Sequence, residues 1–349
     1  MARTVLTAEM VEQAVYGGAI LGGGGGGWIA QGLEKGRAAL AKGKVELISV
    51  DELNDNDEVV CVSLVGAPAA KDQYVDDNQL LATVELLQKN YPGTIKAIMT
   101  NENGAATTIN GWLQAAMTGL PVIDAPCNGR AHPTGAMGAL NLSEQQDYVS
   151  YQAAAGGFGS RAISGFVSGT LDYVGNVIRR MSVEAGGMVG VARNPVSVAY
   201  VKAHGAVGGI SKAMEIGKAF LAEKEGSSKI EAVTAALHGR VVKVGHVRSF
   251  ELKTEGGFDV GRLDVDGIEL TFWNEFMTLE ENGERKGTFP DLIMTFDADT
   301  GQPIVSAEVK NGQKLAVICV PQSELLLSST MENERLLRTI EPVIQKTIV

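Results

Sequence analysis

Apolar positions along the first half of the chain alternate between helical spacing and short runs of strand length. Val11, Ala14, Val15, Ala19 and Ile20 mark an opening helix, with Thr7 as its N-cap and an end near Leu21. Ile29, Leu33, Ala38 and Leu40 mark a second helix that begins at about Trp28. Residues 45–50 (VELISV), 58–65 (EVVCVSLV), 95–100 (IKAIMT) and the VID after Pro121 read as strands, with a helix at about 77–90 between the second and third. Residues 101–108 open a further helix that ends near Thr118–Gly119. This alternation predicts an α/β domain with a parallel or mixed sheet covered by helices. Helical patterns follow at 153–169, 169–184, 195–203 and 209–223. From Lys229 to Pro321 the spacing changes to alternation broken by turns, which predicts a β-sandwich or barrel-like module. The expected organisation is therefore an N-terminal α/β domain over 1–168 and a C-terminal domain over 169–349. The second divides into a helical part at 169–227, a β-rich part at 228–325 and a closing helix at 331–346.

Between the first two helices stands a run of six glycines, Gly22 to Gly27. A linker would carry Ser, Asn or charge; this run is flanked by apolar helical faces. Glycines admit positive φ and let a ligand or another segment approach the main chain. The helix that follows begins with free N–H groups suited to an anion. Gly24, Gly25, Gly26 and Gly27 are therefore candidate ligand-facing positions. Close helix packing is the alternative reading.

Composition narrows the function classes. At 349 residues with 45% hydrophobic residues, the chain can bury a large core. A net charge of −11 without a basic cluster argues against nucleic acid as a partner. Glu9 and Glu12 interrupt the place where a signal peptide needs an apolar region, and no run reaches membrane-spanning length. Three widely spaced cysteines, Cys61, Cys127 and Cys319, fit reduced thiols. A cytoplasmic protein without membrane partners is expected, and glycine-rich stretches such as 153–169 suggest a homo-oligomer.

Candidate chemistry falls in loops beyond strand C-termini, where α/β sheets usually place it. Glu102 and Asn103 follow one strand; Asp124, Cys127, Asn128, Arg130 and His132 follow another. Arg130 offers a planar fork for a carboxylate or a carbonyl. Cys127 with His132 has the composition of a nucleophile and base, and a buried structural cysteine is the plainer alternative. Glu102 or Asp124 can serve as general base if burial raises its pKa. Zinc is a possible cofactor on Glu102, Asp124, Cys127 and His132, although the spacing forms no standard ligand pattern. The glycine run follows a helix rather than a strand, so the dinucleotide fingerprint lacks its context. Asn274 and Glu275 in FWNEFM are candidates to reach a cleft between domains. Asp297, Asp299 and Gly301 in DADTGQP suit a hairpin turn better than a calcium loop.

Taken in order, LGGGGGGW, NENGAATTINGW, GLPVIDAPCNGRAHP, HGRVVKV, GGFDVGRLDV, FWNEFM and FPDLIMTFDADTGQPI resemble S-methyl-thiohydantoin desulfurase-like proteins, associated with hydantoinase and oxoprolinase systems. The resemblance runs from about Ala8 to Val320. It implies an α/β domain, a β-rich domain and hydrolysis of a small cyclic ureide or thiohydantoin-like ring at C2. The chain keeps Glu102, Asp124, Gly129, Arg130, Pro133, Asn274 and Glu275 of that pattern. It departs at Trp28–Ile29, where the pattern has an acidic residue and Pro, and at Pro126, where it has a second Asp. Gly104 to Thr108 replace a Gly-Gly-x-Asn-Ser segment. These departures leave two function classes standing: a hydrolase, and a non-catalytic binding or assembly subunit of a hydantoinase-type enzyme.

Overall fold

The computed structural model describes residues 3–66, 70–255 and 257–349. Thr7 caps the first helix as its position predicts: its hydroxyl accepts the Met10 N–H at 3.3 Å, and α1 spans Ala8–Leu21. After the glycine run comes α2 (Ile29–Lys42). Then follow β2 (Glu46–Ile48), β3 (Glu58–Gly66), α3 (Asp77–Asn90), β4 (Ile95–Thr100), α4 (Trp112–Thr118) and β5 (Val122–Ile123), with β1 (Thr4–Val5) preceding α1. A capping box of Asp76 and Gln79 starts α3. Next are β6 (Ser150–Gly156), β7 (Ile163–Gly169), α5 (Leu171–Glu184), β8 (Met188–Ser197), α6 (Val198–His204), α7 (Gly209–Ala222) and α8 (Gly226–Ala236). The first sheet has the order β1-β2-β5-β4-β3-β8-β6-β7. Strands β2, β5, β4 and β3 are parallel, and β8, β6 and β7 continue the sheet antiparallel beyond β3. The sheet is mixed, and it draws β8 from beyond residue 168.

The second sheet is antiparallel throughout. It is built from β9 (Arg240–Glu255), β10 (Phe258–Val265), β11 (Ile268–Trp273), β12 (Glu275–Glu281), β13 (Glu284–Thr288), β14 (Leu292–Asp297), β15 (Pro303–Ile304) and β16 (Lys314–Val320). Its order is β13-β12-β11-β10-β9-β16-β14-β15, and it curls until β12 and β13 contact β14. The DADTGQP segment is the β14–β15 hairpin turn, where Asp297 Oδ1 accepts from the N–H groups of Asp299 and Thr300.

Helices α1 and α7 lie between the two sheets, and α8 packs beside α7 on the second. A methyl at Gly17 would fall 1.7 Å from the Ala213 carbonyl oxygen, and one at Gly217 would fall 1.8 Å from that of Gln13. The two helices therefore touch main chain to main chain. Ile20 and Leu21 of α1 join Ile216, Phe220 and Val233 in one core with Leu292, Phe296 and Ile318 of the second sheet. Among the described residues no helix is long and apolar enough to cross a membrane.

Three expected helices are corrected. Residues 153–169 belong to the β6–β7 hairpin, because Ala and Gly there are sandwiched between neighbouring strands and packing overrides their local preference. The closing helix at 331–346 is broken into a 3-10 turn at Ser329–Glu332, α9 (Glu334–Leu337) and α10 (Glu341–Ile344). The helix expected from 101 begins only at Trp112, after a compact turn that ends in Gly111 at φ 94°.

Candidate active site

The glycine run is folded tightly into the junction of the two sheets. Gly23 O accepts the Phe276 N–H at 2.7 Å, Gly24 O accepts from Ser306 N at 2.9 Å, and Gly26 O accepts from Ala106 N at 2.9 Å. A methyl at Gly25 would land 2.0 Å from Glu275 Oε1, and one at Gly23 would land 2.5 Å from Arg130 Nη2. At Gly26 it would meet the Gly104 Cα at 2.4 Å. The run thus lets three segments converge on one backbone: 104–107, Arg130 and the start of β12. Among the described residues no hydrogen bond reaches the N–H groups of Gly24, Gly26 or Gly27.

Beneath the loop lies a group of buried titratable side chains. Glu102 follows the C-terminus of β4, and His132 and Arg130 sit on the segment after β5. Glu102 Oε2 lies 3.2 Å from His132 Nε2 and accepts the His132 backbone N–H at 3.3 Å. The ring contact is a close approach without hydrogen-bond alignment, and among the described residues neither ring nitrogen has a hydrogen-bond partner. Burial pushes the Glu102 carboxyl up to about 8. Burial, reinforced by the Arg193 charge, lowers His132 to about 4. At neutral pH the pair is therefore a carboxylic acid beside a neutral imidazole, since removal from water outweighs the attraction of an ion pair.

Glu275, 2% exposed, is also driven well above the usual carboxylate range, first by burial and then by Glu102, with Arg130 opposing. Arg130 is fully buried. It donates from Nη1 to Pro290 O at 3.0 Å and Asp291 O at 2.5 Å, and its guanidinium carbon lies 4.6 Å from the centre of the Phe289 ring. Burial lowers it to about 10, so it stays charged at neutral pH. Among the described residues its Nε and Nη2 have no partner, nor has Glu275 Oε2. Unpaired buried atoms of this kind are rare in native interiors and point to a water or ligand.

Other expected site residues serve the scaffold. Asp124 is the clearest case. Its Oδ1 accepts from Ile210 N at 2.9 Å and Ser211 N at 3.1 Å, and its Oδ2 accepts from Ser211 Oγ at 2.5 Å. Asp124 anchors the first turn of α7. Asn128 Oδ1 accepts from Ser328 N at 3.1 Å and its Nδ2 donates to Arg130 O at 2.9 Å. Asn103 Nδ2 donates to Gly209 O at 2.8 Å. Asn274, at φ 56°, is the single residue that links β11 to β12, and its Oδ1 accepts from Asp259 N at 2.9 Å.

Cys127 is buried beside Cys61 rather than paired with His132. Their hydrogen bond, with Arg193 nearby, makes Cys61 the more acidic thiol and Cys127 the less acidic one. Zinc does not suit these donors: among the described residues no three His, Cys, Asp or Glu are grouped to hold a metal ion. Sequence reasoning missed Cys61 and Arg193. Cys61 sits in an apolar strand, and Arg193 lies directly across from it on β8, a strand that the spacing pattern did not show.

The S-Me-THD-like N-terminal domain matches residues 9–164 and the S-Me-THD-like C-terminal domain matches residues 170–334. The chain belongs to the S-Me-THD-like family. A crystal structure of a protein from Chromobacterium violaceum has the same fold, with a TM-score of 0.74 and 21% identity over 99% of each chain. No curated protein matches the chain.

Proposed function

We propose that the protein hydrolyses a small cyclic ureide, hydantoin or thiohydantoin-like ring at C2, releasing a thiol or similar group. The family name supports a thiohydantoin-related substrate. The observation that carries the reading is the set of unpartnered atoms at Arg130 Nε and Nη2 and at Glu275 Oε2. A ring amide presents a carbonyl acceptor next to an N–H donor. Arg130 donates to the first and Glu275 accepts from the second.

Water attacks C2 and His132, a free imidazole, takes a proton. Arg130 and the N–H groups of Gly26 and Gly27 hold the charge that develops on the ring. Glu102, protonated at neutral pH, gives its proton to the departing sulfur. The C2–S bond breaks as the C2 carbonyl completes. Net, the water oxygen becomes that carbonyl oxygen, and its protons end on a ring nitrogen and on the thiol. As Glu102 ionises it raises the basicity of His132 only 3.2 Å away, so the pair resets by one proton transfer.

The test is turnover of a panel of hydantoins, thiohydantoins and S-methyl-thiohydantoins, followed by ring absorbance, in the wild type and Glu102→Gln. Loss of at least about 100-fold in kcat with ligand binding kept is the expected result. Full activity in Glu102→Gln would remove it from the chemistry. Thermal stabilisation by a ring without turnover would shift the reading to a binding subunit.

A further inference from the structure

At the opposite end of the first sheet from Glu102 lies a recess of about 670 Å³. Glu58 at the start of β3, Tyr151 near the start of β6 and Pro195 near the end of β8 place it there, beyond the N-terminal ends of the parallel strands. The active-site reading uses none of its residues. Its volume falls within the usual range for small-molecule sites.

The lining has a distinct chemistry. Tyr91, Tyr148, Tyr151 and Tyr200 contribute four aromatic rings, and Glu58 and Asp147 contribute two carboxylates. Among the described residues no Lys, Arg or His lines the recess, and neither carboxylate has an ion-pair partner. Three tyrosine hydroxyls are tied back to the protein. Tyr91 Oη donates to Glu58 Oε1 at 2.5 Å, Tyr148 Oη to Pro195 O at 3.2 Å and Tyr200 Oη to Leu140 O at 2.8 Å. The phenol groups are thereby held in place; Tyr200 stacks on the His204 ring with centres 4.2 Å apart, and among the described residues no Lys or Arg lies over any of the four tyrosine rings. Tyr91 and Tyr151 meet edge to face, with ring centres 5.0 Å apart at 71°, forming a fixed aromatic corner. Glu58 also accepts the Thr94 N–H at 3.2 Å, so its carboxylate is anchored as well.

Aromatic faces attract cations, and an uncompensated carboxylate nearby adds to the attraction. Phosphate or carboxylate ligands are repelled by the same lining. We propose that this recess binds a small organic cation with an alkylammonium or quaternary ammonium head. The head sits against the tyrosine rings, with Glu58 and Asp147 supplying the counter-charge.

The test is calorimetric titration of the intact protein with choline and with its neutral isostere 3,3-dimethylbutan-1-ol. Binding of choline at least about 10-fold tighter than the alcohol is expected. Asp147→Asn, at an exposed residue without tertiary hydrogen bonds, should weaken choline by about 3-fold or more, and Glu58→Gln by about 10-fold. Added salt should weaken binding in parallel. Equal binding of choline and the alcohol would overturn the proposal. So would absence of choline binding, or binding unchanged in both variants.

Discussion

Replacing Gly25 with alanine isolates what the glycine run does for the buried site. Gly25 does not adopt a left-handed backbone, so alanine adds no dihedral strain there. Its methyl, however, would lie 2.0 Å from Glu275 Oε1, 2.6 Å from Cδ and 2.9 Å from Cγ. The carboxyl must retreat by about 1.4 Å to restore an ordinary 3.4 Å contact, and it is enclosed on all sides. Such overpacking costs about 1–3 kcal/mol. The cause can be checked by a cycle, because Glu275→Ala removes the obstructing atoms. Gly25→Ala should then lose most of its effect, giving a coupling energy of about 1–3 kcal/mol against an additivity error of about 0.3–0.5 kcal/mol. Urea unfolding followed by tryptophan fluorescence suits the measurement, since Trp273 lies two residues from Glu275. Equal destabilisation by Gly25→Ala with and without Glu275 would refute the steric account and with it the claim that the run is glycine to seat this carboxyl.

The Glu102–His132 pair sets a pH profile of stability. The folded chain holds the Glu102 proton up to about 8 whereas the unfolded chain loses it near 4.5, so stability falls as pH rises through that window. His132 acts oppositely: the unfolded chain takes a proton near 6.5 and the folded one only near 4, so stability falls as pH drops between them. Denaturant midpoints should therefore be level between about pH 4.5 and 6.5, where the two slopes cancel, and decline from there toward pH 8; Glu102→Gln should flatten the alkaline side, and an unchanged alkaline slope would contradict the assignment. Gly17→Ala should destabilise by about 3 kcal/mol or more, because its methyl meets the Ala213 carbonyl at 1.7 Å. Gly175→Ala, within α5 and with nothing within 4 Å of the added carbon, should instead stabilise by about 0.5–1 kcal/mol in the same unfolding assay. Asp124→Asn should lower stability by about 1–3 kcal/mol through the α7 N-terminus and leave the pH profile of turnover in place; a shifted profile would return Asp124 to the chemistry.

The elements with strong local signals were legible in the chain. Thr7 opens α1, Asp77–Asn90 forms α3 and Ile95–Thr100 forms β4 because caps and apolar spacing agree there with the packing. The 150–169 hairpin was not, because alanine and glycine carry no strand signal of their own and are held extended by β8 and by each other. The site was half legible. Glu102, Arg130, His132 and Glu275 are gathered in one buried group, as loops beyond strand ends suggest. What spacing could not show is how neighbours divide the work. Asp124 and Glu102 look alike in the chain, yet one faces backbone N–H groups at a helix end and the other faces an imidazole. Cys61 and Arg193 became visible only once β3 and β8 were paired.

The crossing of α1 and α7 bears on the order in which the molecule is made. Gly17 and Gly217 stand 200 positions apart in the chain, yet each needs the other's helix to cover its backbone. During synthesis α1 and the glycine run emerge long before their partners, and loop closure over that span must precede any gain from the contact. The first half can lay down its parallel strands early, but the buried titratable group stays unassembled until Glu275 of β12 and the Pro290 and Asp291 carbonyls have left the ribosome. A chain cut between His132 and β12 carries Glu102 and His132 without the carbonyls that hold Arg130 and without Glu275. Such a chain also leaves Ile20 and Leu21 of α1 without the second-sheet side chains that cover them, the kind of exposed apolar surface that makes incomplete chains prone to aggregate.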